Sequence, residues 1–230
     1  MSTSSRSADR YRSELAAAEN QRTYLLQHSG LPGPRGNLEL AAVAADCCPR
    51  PQLREWAGLS PTEAPTGTAE EYLAFCGVLG LRNLLAGEKH VAALGELRRH
   101  ASDPRWRLRE AVAMALQSWG KQDFPALAKA MRDWANGSWL ERRAAAAALC
   151  EPALLASSDR VLATLAVLEA ATSPVETAGK DQRRSEAYLA LRKGLGYCWS
   201  VAAAANPSIG IPAIERLVDR AVQVGDRDLC

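Results

Sequence analysis

Two stretches of this 230-residue chain are copies of each other: Trp106-Arg-Leu-Arg-Glu-Ala-Val-Ala-Met-Ala-Leu116 and Trp139-Leu-Glu-Arg-Arg-Ala-Ala-Ala-Ala-Ala-Leu149. A shift of 33 residues superposes Trp106 on Trp139, Arg109 on Arg142, Ala111 on Ala144, Ala113 on Ala146 and Leu116 on Leu149. A third, looser copy, Leu191-Arg-Lys-Gly-Leu-Gly-Tyr-Cys-Trp199, keeps Arg192 in register and places Gly194 and Gly196 at the small-residue positions. A helical unit of this length cannot bury its apolar face alone, so neighbouring copies must stack. The repeats therefore predict an all-α chain, an α–α superhelix, forming one domain over residues 1–230.

The pattern along the chain agrees. The first nine residues are polar and read as a tail. Tyr11, Leu15, Ala18 and Leu25 have helical spacing that predicts a helix to Gln27, stopped by Gly30 and Pro32. Short helices follow over 38–48 and 52–59, then a longer one from the Thr68/Glu71 capping pair to about Ala86, with Tyr72 and Phe75 as core. A helix over 89–100 precedes Asp103-Pro104, a strong helix start. Further helices are predicted over 124–135, from the Ser138/Glu141 capping pair, and over 158–171, 182–205 and 211–224. Gly194 and Gly196 fall inside one of them, which predicts a close helix-to-helix approach there.

Composition excludes several classes. Hydrophobic residues are 47% and charged residues 23% of the chain, ordinary values for a globular protein. Six cysteines, at 47, 48, 76, 150, 198 and 230, form no Cys-x-x-Cys pair and stand beside only three histidines. Neither a disulfide framework nor a metal site is indicated, and no cofactor-binding glycine loop or nucleophile elbow occurs. The start, Met-Ser-Thr-Ser-Ser-Arg-Ser, has no apolar run behind it, and no segment has 18 uninterrupted apolar residues. A cytoplasmic protein without a membrane anchor is the expectation.

Net charge is only +2, so placement of charge matters more than its sum. In stacked helical repeats, equivalent positions line up across the molecule. Here they are basic: Arg105, Arg107 and Arg109, then Arg142 and Arg143, then Arg183, Arg184, Arg192 and Lys193, with Arg98, Arg99 and His100 nearby. Such a stripe suits a phosphate backbone. The same arginines also suit a structural role, bonding to an acid or a turn carbonyl of the neighbouring repeat.

Residues 191–207, Leu191-Arg-Lys-Gly-Leu-Gly-Tyr-Cys-Trp-Ser-Val-Ala-Ala-Ala-Ala-Asn-Pro207, resemble without a gap a helix of the HEAT-like-repeat DNA glycosylases typified by AlkC and AlkD. In that helix Arg/Gln-Lys-Ala-Ile-Gly-Trp is followed ten residues later by Asn-Pro. Trp139-Leu-Glu-Arg142 is similar to the family's Trp-Leu-x-Arg, and Trp106 with Glu110 to its Trp-x-x-x-Asp. The resemblance covers roughly the carboxyl-terminal 130 residues, whereas the amino-terminal part resembles bacterial HEAT-repeat proteins.

The resemblance implies a HEAT-like solenoid that binds alkylated duplex DNA and hydrolyses the N-glycosidic bond of the damaged base. Trp106 and Tyr197 would be its aromatic walls, holding a cationic base by cation–π attraction, and Glu110 the carboxylate stabilising positive charge on the sugar. Trp139, Arg142 and the other basic residues above would hold the nucleic acid. Two positions depart from the family: Glu110 stands for aspartate and Tyr197 for tryptophan. The competing expectation is a non-enzymatic scaffold that binds a protein partner in its groove. On that reading Trp106 and Trp139 fill gaps between repeats, Glu110 pairs with an arginine, and Tyr197 packs in the core.

Overall fold

The computed structural model describes residues 3–223, and every regular element among them is helical. No helix among the described residues is long and apolar enough to cross a membrane. Where the repeats predict one domain, packing divides the chain into two compact units, Met1–Ala115 and Leu116–Cys230.

The first unit holds α1 (Thr3–Ala17), α2 (Gln21–His28), α3 (Leu38–Cys47), α4 (Arg50–Ala57), α5 (Ala69–Gly80), a 3₁₀ turn over Leu81–Leu84, α6 (His90–His100) and the start of α7 (Trp106–Gln122). α5 is its centre: residues 71–80 are buried on all sides, as expected for a helix that is apolar around its whole circumference. It packs against α2, α3, α4 and the 3₁₀ turn, while α1 lies on α3. Arg82 and Asn83 of that turn donate to the carbonyls of Ala42 and Ala45 in α3, the second of which is an acceptor that the helix terminus leaves open.

The polar stretch expected as a tail is helical from Thr3, and Ser7 Oγ donates to Glu39 at 2.7 Å; residues 1 and 2 lie outside the described residues. The single helix expected over 11–27 is broken because Asn20 caps a new one, its Oδ1 accepting from the Thr23 N–H at 3.0 Å. Asp103 does not cap α7 directly. It turns its carboxylate onto the Arg105 backbone and side chain, and the helix starts at Trp106.

The second unit holds the rest of α7, then α8 (Phe124–Trp134), α9 (Trp139–Leu149), a 3₁₀ turn over Pro152–Leu154, α10 (Ser158–Glu176), α11 (Lys180–Arg183), α12 (Glu186–Ala205) and α13 (Pro207–Gln223). α8, α10 and α13 pack in succession as one layer, and α9 and α12 pack as the other. The alanines of α9 allow this: Ala144, Ala145, Ala146 and Ala148 are all buried, small enough to bring helix axes close without losing helix propensity. Ser138 and Glu141 form a complete capping box at the start of α9.

The repeat has a physical basis. Arg109, Arg142 and Arg183 each occupy the fourth position of a helix, and each donates to backbone carbonyls of the segment that leads into that helix. Arg109 Nη1 reaches Asp103 O at 2.8 Å and Pro104 O at 3.1 Å. Arg142 Nε reaches Gly137 O at 2.8 Å, and its Nη1 reaches Ala135 O and, at 3.0 Å, Ala170 O. Arg183 donates to Ala178 O at 2.9 Å and Val175 O at 3.2 Å. These charge-assisted bonds tie each helix start to the turn that leads into it, and a charged donor makes them stronger than neutral ones. The third copy is therefore centred on Arg183, not on Arg192 as the sequence alignment suggests. Arg142→Ala is expected to lower stability by about 2 kcal/mol, read as a reduced denaturant midpoint; an unchanged midpoint would remove this role.

Candidate functional site

The expected phosphate-binding stripe is largely committed inside the protein. Arg105 is 2% exposed and forks onto Asp103, with Nε–Oδ1 at 2.9 Å and Nη2–Oδ2 at 2.8 Å. Its Nη1 donates to Ala64 O at 3.2 Å. Arg107 Nη1 donates to buried Glu71 at 3.0 Å, and Nη2 to Gly33 O at 3.2 Å. With Arg109 also buried, all three direct their guanidinium groups to partners within the fold. Arg142 and Arg183 are half-buried and bound to the carbonyls named above; burial lowers the Arg142 pKa from its usual value. Arg143 is half-buried beside Gly194. Arg184, Arg192 and Lys193 are the members of the stripe that remain exposed. Trp139, expected beside the nucleic acid, is half-buried and meets buried Tyr188 edge-on at 5.4 Å.

Trp106 and Glu110, one helical turn apart, line the same cavity of about 330 Å³ in the first unit. Its other walls come from the loop before α3 (Pro34, Arg35, Gly36), from Leu38, from Tyr72 and Phe75 of α5, and from Arg107 and Met114 of α7. The loop is held firmly. Tyr72 Oη donates to Asn37 O at 2.7 Å, Asn37 N–H donates to Ser29 O at 2.8 Å, and Asn37 Oδ1 caps α3 by accepting from Leu40 N–H at 3.1 Å. Trp106 is 47% exposed, but the Arg107 guanidinium already lies over its ring at 4.6 Å. The indole thus holds one of the protein's own cations, in the manner expected for a ligand cation. Glu110 is engaged in contacts within the protein.

Tyr197, the third expected catalytic residue, belongs to the second unit and is 63% exposed on α12; it is not a core tyrosine. The residues that sequence reasoning missed at the cavity are Arg35, Leu38 and Met114. Arg35 sits in the Gly-Pro-Arg-Gly stretch, which a sequence marks only as a loop. Leu38 is 53% exposed at the first position of α3, and nothing in the pattern distinguishes it from core.

A second concavity, of about 650 Å³, lies among α10, α12 and α13. Leu189, Leu195, Trp199, Ile214, Leu217 and Val218 line it, with Arg192 and Lys193 beside them. The polar atoms at its floor are satisfied: Trp199 Nε1 donates to Thr172 Oγ1 at 3.0 Å, and Thr172 Oγ1 donates to Leu168 O at 2.8 Å. What faces a ligand is therefore apolar surface flanked by positive charge. Leu189, Ile211, Val218 and Val222 are 47%, 50%, 38% and 64% exposed nearby on α12 and α13.

Three of the buried thiols are poor nucleophiles. Burial pushes Cys48 up to about 11 and Cys76 higher still, and Cys150 is raised by its hydrogen bond with Cys198 and by burial, so all three are protonated at neutral pH. Cys230 lies outside the described residues. No group of acids, histidines and cysteines among the described residues is arranged to hold a metal ion. Comparison with protein-family models, with curated proteins and with solved structures gives no match.

Proposed function

We propose that this chain is a HEAT-like-repeat binding protein, built as an α–α superhelix without catalytic activity, that takes an amphipathic, acidic segment of a protein partner into the α12–α13 groove. The observation that carries the reading is the disposition of side chains. Arg105, Arg107, Arg109, Arg142 and Arg183 each donate to partners inside the fold, while large apolar residues of α12 and α13 stand in solvent around a concave surface. An amphipathic helix laid into an apolar groove buries such surface, and exposed Lys193 favours acids on its polar face. The test is affinity capture with the wild-type chain and with Leu189→Asp/Val218→Asp, followed by binding of each captured protein in purified form. Partners that bind the wild type and lose at least about tenfold affinity for the variant support the reading; equal binding to both overturns it.

A second reading, recognition of alkylated duplex DNA with excision of the base, is favoured by one observation: Trp106 and Glu110 share a cavity. Its test is anisotropy with a duplex carrying 7-methylguanine at two salt concentrations, with released base measured in the same samples. The protein-partner reading expects neither steep salt dependence nor release. Salt-sensitive binding together with release that Glu110→Gln abolishes would replace it with the repair reading.

A further inference from the structure

We propose that the first-unit cavity is a binding site for a small amphipathic carboxylate, an aliphatic monocarboxylic acid whose chain lies against Leu38, Phe75 and Trp106 and whose carboxylate pairs with Arg35. The proposal concerns a different unit from the α12–α13 groove and stands independently of the function assigned to that groove. A volume of about 330 Å³ is at the small end of the range for ligand cavities. The apolar walls are exposed to a degree that leaves a cost to be relieved, with Leu38 at 53% and Trp106 at 47%.

The site is built before any ligand arrives. Asn37 and Tyr72 fix the loop that carries Arg35. Arg107 fixes the indole by stacking on it, and is itself fixed by Glu71 and Gly33 O. Pre-organised walls lower the ordering cost of binding.

Charge selects the head group. Of the charged side chains lining the cavity, Arg107 is neutralised by Glu71 and Glu110 is engaged within the protein. Arg35 is exposed and forms no ion pair among the described residues. Arg107 Nε, in the same wall, is a buried donor without an acceptor. Both features favour an anionic acceptor. A cationic ligand meets Arg35 and finds one face of Trp106 already covered.

The experiment is isothermal titration of the full chain with decanoate, decanol and decyltrimethylammonium. Decanoate is expected to bind saturably at one site, at least about tenfold more tightly than decanol or the cation, and Arg35→Gln to weaken it by about tenfold. Leu38→Glu is expected to abolish binding with no loss of thermal stability, because the position is exposed and an acid suits the first turn of a helix. Leu189→Asp/Val218→Asp, in the second unit, is expected to leave decanoate binding unchanged. The proposal is overturned if decanoate gives no saturable binding up to about 1 mM, if decanol binds as tightly, or if Leu38→Glu binds as the wild type does. It is equally overturned if the groove variant, and not Leu38→Glu, loses the acid, which would place the ligand on α12 and α13.

Discussion

Gly77→Ala is expected to be the most damaging single-methyl substitution in the first unit, lowering stability by about 4 kcal/mol or more. A Cβ at this position would lie 2.6 Å from Leu53 O and 2.8 Å from the Trp56 carbonyl carbon, and closer still to the Ala57 amide nitrogen. All three belong to the backbone of α4, so no rotamer change relieves the contact and the helix itself must move. α4 has little freedom to do so, since Leu53, Trp56 and Ala57 are buried at 3%, 1% and 2% exposure. In a densely packed interior such a displacement propagates into neighbouring contacts. The control is Gly95→Ala. Gly95 lies inside α6, and nothing stands within 4 Å of the added methyl, so that substitution is expected to stabilise by up to about 1 kcal/mol through helix propensity. Denaturant unfolding of the two variants beside the wild type checks both signs. Near-equal midpoints for Gly77→Ala and the wild type would mean that α4 and α5 do not cross at this glycine.

The glycines also show what a sequence can and cannot convey. Gly194 and Gly196, conspicuous in mid-helix, suggest close approach, yet Gly196 faces open space and a methyl at Gly194 would meet only Arg143 Cγ at an ordinary 3.5 Å. The close crossings occur instead at Gly77 and at Gly210, where an added Cβ would run into the Ala203 backbone. Gly77 stands in an apolar run with no local mark of its own, because its partner lies in another helix. The all-helical architecture was legible for the opposite reason: capping residues and helical spacing act within a few residues, as at Ser138/Glu141 and Thr68/Glu71. The repeat was legible too, but its meaning was not. Arginines at one register suggest an aligned external stripe, whereas the carbonyls that bind Arg109, Arg142 and Arg183 are backbone atoms and leave no trace in residue identity. At the cavity, the pairing of Trp106 with Glu110 followed from one turn of helix. Arg35 and Leu38 reach it through the folded path of the 29–37 loop, which spacing does not encode.

Arg107→Ala is expected to cost about 3–5 kcal/mol, since it removes one partner of a buried ion pair and leaves the other without compensation. Glu71 is 0% exposed, and without Arg107 the Gly67 N–H at 2.7 Å remains its hydrogen-bond donor from outside α5. The same substitution frees the Gly33 carbonyl and uncovers the Trp106 ring, so the loop and the indole lose their common anchor. Arg107→Lys is expected to recover only part of the loss, because one ammonium cannot reproduce a planar fork that meets a carboxylate, a carbonyl and an aromatic face together. Arg107→Met with Glu71→Leu is expected to be much less destabilised than either single variant, since no buried charge is then left alone. A double-mutant cycle by denaturant unfolding measures this coupling directly. The result bears on function as well. A guanidinium held by several kcal/mol in its internal pair is not available to phosphate, and the basic stripe is then an architectural feature of the repeats. A loss below about 1 kcal/mol for Arg107→Ala would describe a loosely held surface arginine and return it to the candidates for nucleic-acid contact.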